Sequence, residues 1–233
     1  MENILIRLKK FDDEVKLYYR KFETKEKEII SDGIVNPQEY LSSPIKILWI
    51  LKEPYDIDGE GKGGWPINES LNNEKELQTL GGLKSTWYPI AYTSFAILNG
   101  FKKYEDMDDI EDNDSMLNVF KKIAFINVQK FAANTTTNDK DIKAAYKAHS
   151  RILLKQIEIY NPDIVIGGNT MWNFVDDLEL KDHHYDEYEY WIKDNKLYIN
   201  AAHPSIRGNS EAKEEYVNDI VRIAMKYIEG KQK

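Results

Sequence analysis

The chain has 233 residues, of which 42% are hydrophobic and 31% charged, and its net charge is -8. That length and apolar content suffice for one buried core, since single cores extend to about 250 to 300 residues, so one domain spanning 1–233 with a helical N-terminal segment (about 1–43) is expected. No stretch approaches the roughly 20 apolar residues of a membrane span, and the absence of cysteine excludes disulfides, thiolate metal sites, iron-sulfur clusters and cysteine nucleophiles. With four histidines, two of them (His183 and His184) in an acidic run that reads as a solvated loop, no metal site and no cofactor are expected.

The opening MENILIRLKKFDDE lacks the apolar core of a secretory signal, so a cytoplasmic protein without membrane contact is expected. Residues 4–30 read as helical. Four short apolar runs then read as strands: residues 45–51 (IKILWIL), 123–128 (IAFINV), 163–167 (DIVIG) and 197–201 (LYINA). Near-continuous apolar runs suit strands buried on both faces. Helical patterns over residues 84–98, 139–160, 171–178 and about 210–228 alternate with them. The expected fold is therefore a three-layer α/β/α arrangement around a central, mainly parallel four-stranded sheet. Asn161-Pro162 ends the long helix, because a residue before proline is pushed out of the helical region. Residues 188–192, followed by Asp194-Asn195, suit a hairpin into the last strand.

Charge is polarised along the chain. Residues 121–155 hold seven Lys and one Arg against Asp139 and Asp141, whereas 105–114 and 176–194 are strongly acidic. A basic stretch within an acidic protein is either an ordinary solvated face or a local field for phosphate.

Ligands gather beyond the carboxyl ends of strands in open α/β sheets. The first strand ends in Lys52-Glu53-Pro54-Tyr55-Asp56, the second near Asn127, and the fourth in Ala201-Ala202-His203-Pro204-Ser205. Singly, Glu53 suits a surface turn, Asn127 a strand-end cap and His203-Pro204 a turn with a satisfied imidazole. Together, a carboxylate, an amide and an imidazole at one sheet edge make a toolkit for polar recognition and acid-base chemistry.

This ordered set resembles the uracil-DNA glycosylase superfamily, most closely the pattern of its first family. That pattern runs Gly-Gln-Asp-Pro-Tyr-His, an aromatic, a strand ending in Asn, and a late His-Pro-Ser-Pro-Leu. Here the chain has Leu51-Lys52-Glu53-Pro54-Tyr55-Asp56, Trp65, Phe125-Ile126-Asn127 and His203-Pro204-Ser205-Ile206-Arg207, with residues 161–169 similar to the family's third strand and loop. Without cysteine, the chain fits only a branch that lacks an iron-sulfur cluster.

The resemblance implies a monofunctional DNA glycosylase that flips a uracil or modified pyrimidine and hydrolyses its N-glycosidic bond. Glu53 and His203 would be catalytic. Tyr55, Trp65 and Asn127 would bind the base, with Trp65 either a stacking platform or a hydrophobic anchor for its loop. Gly168, Asn169, Ser205, Ile206 and Arg207 would contact DNA, with Ile206 or Arg207 as the wedge that fills the vacated stack. DNA is the implied partner and a monomer the implied state.

Departures from the pattern open alternatives. Glu53 replaces the catalytic Asp, Leu51-Lys52 replace Gly-Gln, and Asp56 replaces His. Tyr55 stands where the family's tyrosine excludes substituents at carbon 5 of the pyrimidine. The glycine-rich residues 59–64, in contrast, suit close ligand approach or extra space. An antiphage glycosylase that excises a hypermodified cytosine, a catalytically silent DNA- or nucleotide-binding member, and hydrolysis of a free nucleoside or nucleotide are the competing expectations.

Overall fold

The computed structural model describes residues 2–56, 61–73, 84–132, 137–206 and 210–231. Helix α1 (Glu2–Arg20) leads through β1 (Gly33–Ile34) and α2 (Pro37–Ser42) into β2 (Ile47–Leu51). After α3 (Ile67–Asn72) and α4 (Lys84–Leu98), β3 (Ala124–Asn127) is followed by α5 (Asp139–Tyr160) and β4 (Ile164–Gly168). Strands β5 (His184–Asp186), β6 (Tyr188–Lys193) and β7 (Lys196–Ala201) precede α6 (Ser210–Lys231).

Among the described residues the sheet is mixed and has seven strands in the order β1-β3-β2-β4-β7-β6-β5, which corrects the expected four. Strands β3, β2, β4 and β7 pair in parallel, whereas β1 and the β5–β6–β7 meander add antiparallel edges. Composition hid the edges. Strand β1 is only two residues long, and β5 carries His184 and Tyr185 in an exposed, acidic stretch with no apolar alternation. His184 is thus on a strand rather than in a loop, its ring stacked on Tyr190 at 5.1 Å.

Burial on both faces explains the apolar strands. Along β2, Ile47, Trp49 and Leu51 enter one core with residues of α4 and α6, whereas Leu48 and Ile50 enter a second core with α1 and α5. The Trp49 indole N–H donates to Ser94 Oγ at 3.0 Å, so the largest side chain of the strand is buried without an orphan donor.

Helix boundaries follow local chemistry. Helix α5 begins where the Asn138 side chain accepts the Lys140 N–H, with Asp139 and Asp141 in its first turn. It ends at Asn161, which leaves the helix in the left-handed region (φ 47°) before Pro162. Helix α1 stops at Arg20 rather than continuing to residue 30, because residues 28–31 bridge the chain segments at 62–67 and 130–131 instead. The expected helix over 171–178 is a short 3-10 turn, Met171–Asn173, followed by turns. No described helix is long and apolar enough to cross a membrane.

Candidate functional site at the strand ends

Three strand ends meet around one lysine. The chain leaving β3 continues beside that leaving β2, with the Val128 and Gln129 N–H groups donating to the Leu51 and Lys52 carbonyls, each at 2.9 Å. Gly168, at the end of β4, lies between β2 and the His203-Pro204 turn. A Cβ there would stand 2.9 Å from Pro204 Cδ and 3.2 Å from Leu51 Cδ2. Gly168 is buried, so it acts as a spacer that lets the His203 turn close on β2 rather than as a surface for phosphate. Gly168→Ala should therefore displace His203 and lower the melting temperature, as overpacking of about 1 to 3 kcal/mol does. Any turnover dependent on His203 should fall about 10- to 100-fold, as displacements near 1 Å do; wild-type turnover in this variant would refute the spacer role.

Glu53 is half-buried, and desolvation raises its carboxyl above the ordinary glutamate range, opposed by a hydrogen bond from Thr137 and by the Lys52 charge. His203 shifts the other way. Burial, with a further contribution from Lys52, lowers its imidazole to about 4, so the ring is neutral at physiological pH. The Ser205 backbone N–H donates to His203 Nδ1 at 3.1 Å, which assigns the ring proton to Nε2 and leaves an N–H donor there. Lys52 acts on both groups. Its side chain is only 12% exposed, and its ammonium pairs with Asp139 Oδ1 at 2.7 Å, tying the site to the first turn of α5. In the sequence Lys52 stands only as a departure from a motif. Its signal was a cation set directly between a fully apolar strand and a carboxylate.

Asn127 is 2% exposed, and its backbone N–H donates to Asp32 Oδ2 at 2.7 Å. Asp32 also receives the Lys130 ammonium at 2.7 and 2.8 Å, and both side chains are almost wholly buried. Lys130 further donates to Gln156 Oε1, Gln156 to Tyr160 Oη, and Tyr160 to Asp12, whose carboxyl desolvation pushes up to about 6. This network fixes the chain leaving β3. Asp32 and Lys130 lie 98 residues apart, and no local pattern announces their pairing.

The other expected site residues divide. Tyr55 is 45% exposed. Trp65 packs against the first core and lines a depression with Lys16, Arg20 and Glu69, and no described contact joins it to Glu53. Asp56 is buried and accepts the Gly63 N–H at 3.0 Å. Gly63 and Gly64 have φ of 76° and 86°, and a Cβ on Gly63 would stand 2.3 Å from the Glu28 carbonyl oxygen. Close packing on residue 28 thus accounts for these glycines, and ligand space is not needed to explain them. Gly59 and Glu60 lie outside the described residues, as does Arg207.

Asn169 is exposed in the left-handed region (φ 58°), its N–H donating to the Ala201 carbonyl at 2.7 Å. Ser205 is exposed. Ile206 packs against the first core, which removes much of its freedom to act as a wedge. Among the described residues no cluster of three or more His, Asp or Glu side chains is placed to hold a metal ion. No protein-family model matches the sequence, and no curated protein matches it.

Proposed function

We propose that the chain is a monofunctional DNA glycosylase of the uracil-DNA glycosylase type, which flips a uracil or modified pyrimidine and hydrolyses its N-glycosidic bond to leave an abasic site. The observation that carries this reading is the opposite tuning of two groups at the ends of β2 and β7, on either side of β4 and its Gly168 spacer: a carboxylate at Glu53 and a neutral Nε2–H imidazole at His203. Breaking the bond between C1′ and the base nitrogen sends the electron pair to the base and leaves positive charge on the sugar. Glu53 stabilises that sugar and takes a proton from the water that bonds to C1′. His203 donates its Nε2–H to the base oxygen, where negative charge grows. A neutral donor suits this role because it keeps its proton while holding the anion.

Lys52 adds a positive charge near both groups, which favours ionised Glu53 and a departing anionic base. It also opposes charge on the sugar, so its net contribution depends on the balance of the two. Asn127, at the end of β3, would read the base edge with its side-chain amide. This mechanism makes no use of Trp65.

Tyr55 bears on a second reading of the substrate. Tyr55, 45% exposed, is the side chain set against carbon 5 of the pyrimidine, so its position decides between uracil and a bulky modified cytosine of phage DNA. Both readings are tested by incubating the protein with uracil-containing and phage-modified DNA, then cleaving abasic sites with alkali. Strand breaks that disappear in Glu53→Gln are expected. No breaks on any substrate would sink the catalytic reading, leaving a silent binding protein.

A further inference from the structure

Beside the site, a groove of about 460 Å³ runs between α5 and the turn after β4. Lys143, Tyr146 and Lys147 line it from the helix, and Asn169, Trp172 and Asp176 from the turn. Its volume lies within the range of about 300 to 1,000 Å³ that ligand pockets occupy. Trp172 is 55% exposed, yet its ring is held in an edge contact with buried Trp191 (5.7 Å, 85°). An exposed indole fixed in this way is a ready stacking surface.

Lys143 and Lys147 are one helical turn apart and exposed, and make no ion pair with the described residues. The groove's carboxylates are already partly engaged. Asp177 accepts the Tyr146 hydroxyl at 2.7 Å and Asp139 pairs with Lys52, leaving Asp176 as the third. The groove also joins the site at both ends of its chemistry. Asp139 holds the lysine beside Glu53, and Asn169 bonds the carbonyl of Ala201, two residues before His203.

We infer that this groove holds one nucleotide of the DNA strand next to the one whose base enters the site, with its base on Trp172 and its phosphate between Lys143 and Lys147. The inference rests on the glycosylase reading and adds a substrate class to it. A base can lie flat on an indole only when unpaired, so the preferred substrate is single-stranded. The two lysines supply the positive charge a phosphate needs, and the mixed lining suits a nucleotide, which presents both an anion and amino groups, better than a simple polyanion.

The test uses the full chain and a fluorescent five-nucleotide strand containing only adenine and cytosine, with fluorescence anisotropy as the readout. A hairpin duplex and an acidic peptide serve as comparisons. The single strand should bind more tightly than either. Trp172→Ala should weaken it at least about 5-fold, with Trp172→Phe restoring most of the loss. Lys143→Gln with Lys147→Gln, both on an exposed helix face, should reduce the slope of log affinity against log salt by about 0.7, the share of one phosphate.

Unchanged binding in both the Trp172 and the lysine variants overturns the inference, as does equal or tighter binding of duplex or peptide, or no binding of the strand. Excision is scored separately. Excision accompanied by binding that ignores Trp172 sinks only the groove, whereas strand binding that depends on Trp172 without excision from any substrate sinks only the catalytic reading.

Discussion

Glu53→Gln is expected to lower base excision by about 10²- to 10⁴-fold, the usual contribution of a positioned acid or base, with DNA affinity unchanged. The pH profile separates this from a structural effect. In the proposed mechanism excision requires the Glu53 carboxylate, so the rate should fall toward acid as that group protonates. Because desolvation raises its pKa, the acid limb should lie above the ordinary glutamate range. His203, lowered to about 4, stays neutral through most of that limb and should set no limb of its own near neutrality.

Lys52 lowers both groups. Lys52→Met should therefore move the acid limb to higher pH, and a limb that stays in place or moves down would contradict the arrangement. His203→Ala should cost about 2.7 to 4 kcal/mol of transition-state stabilisation, read from kcat/KM, without moving the limb. A full-rate His203→Ala enzyme would assign the base-oxygen donor elsewhere.

Asp32→Ala should destabilise the fold by about 3 to 5 kcal/mol in denaturant unfolding, because it leaves the Lys130 ammonium buried without its counter-charge. The loss arises from the orphaned charge more than from the value of the pair. Replacing both partners, as Asp32→Leu with Lys130→Met, should recover most of it. If the double variant is as unstable as the single one, the network's hydrogen bonds to Asn127 and Gln156 hold the fold rather than the charge balance. Since Asp32 also anchors the Asn127 backbone, the recovered double variant should still show altered base recognition where Asn127 takes part.

Much of the frame was legible in the chain itself. Runs such as IKILWIL admit no solvent-facing side and so mark strands buried on both faces, and the Asn138 and Asn161 caps bound α5 at the residues that its periodicity indicates. The positions of Glu53, Asn127 and His203 just beyond apolar runs were equally visible, because a strand that ends in polar groups delivers them to the sheet edge. Strand β5 was not legible, since exposed antiparallel edges need no apolar alternation, nor was the end of α1, which bridges to distant segments decide.

What composition and periodicity determined, then, is the four parallel strands, helices α4 to α6 and the polar groups that emerge at the carboxyl ends, because burial and capping act over a few neighbouring residues. Only the tertiary structure decided how those groups are tuned. The shared field of Lys52, the Gly168 spacer under the His203 turn, the Asp32–Lys130 pair beneath Asn127 and the groove at Trp172 all join residues distant in the chain. Desolvation and charge act through space, so their effects exist only once the chain is folded.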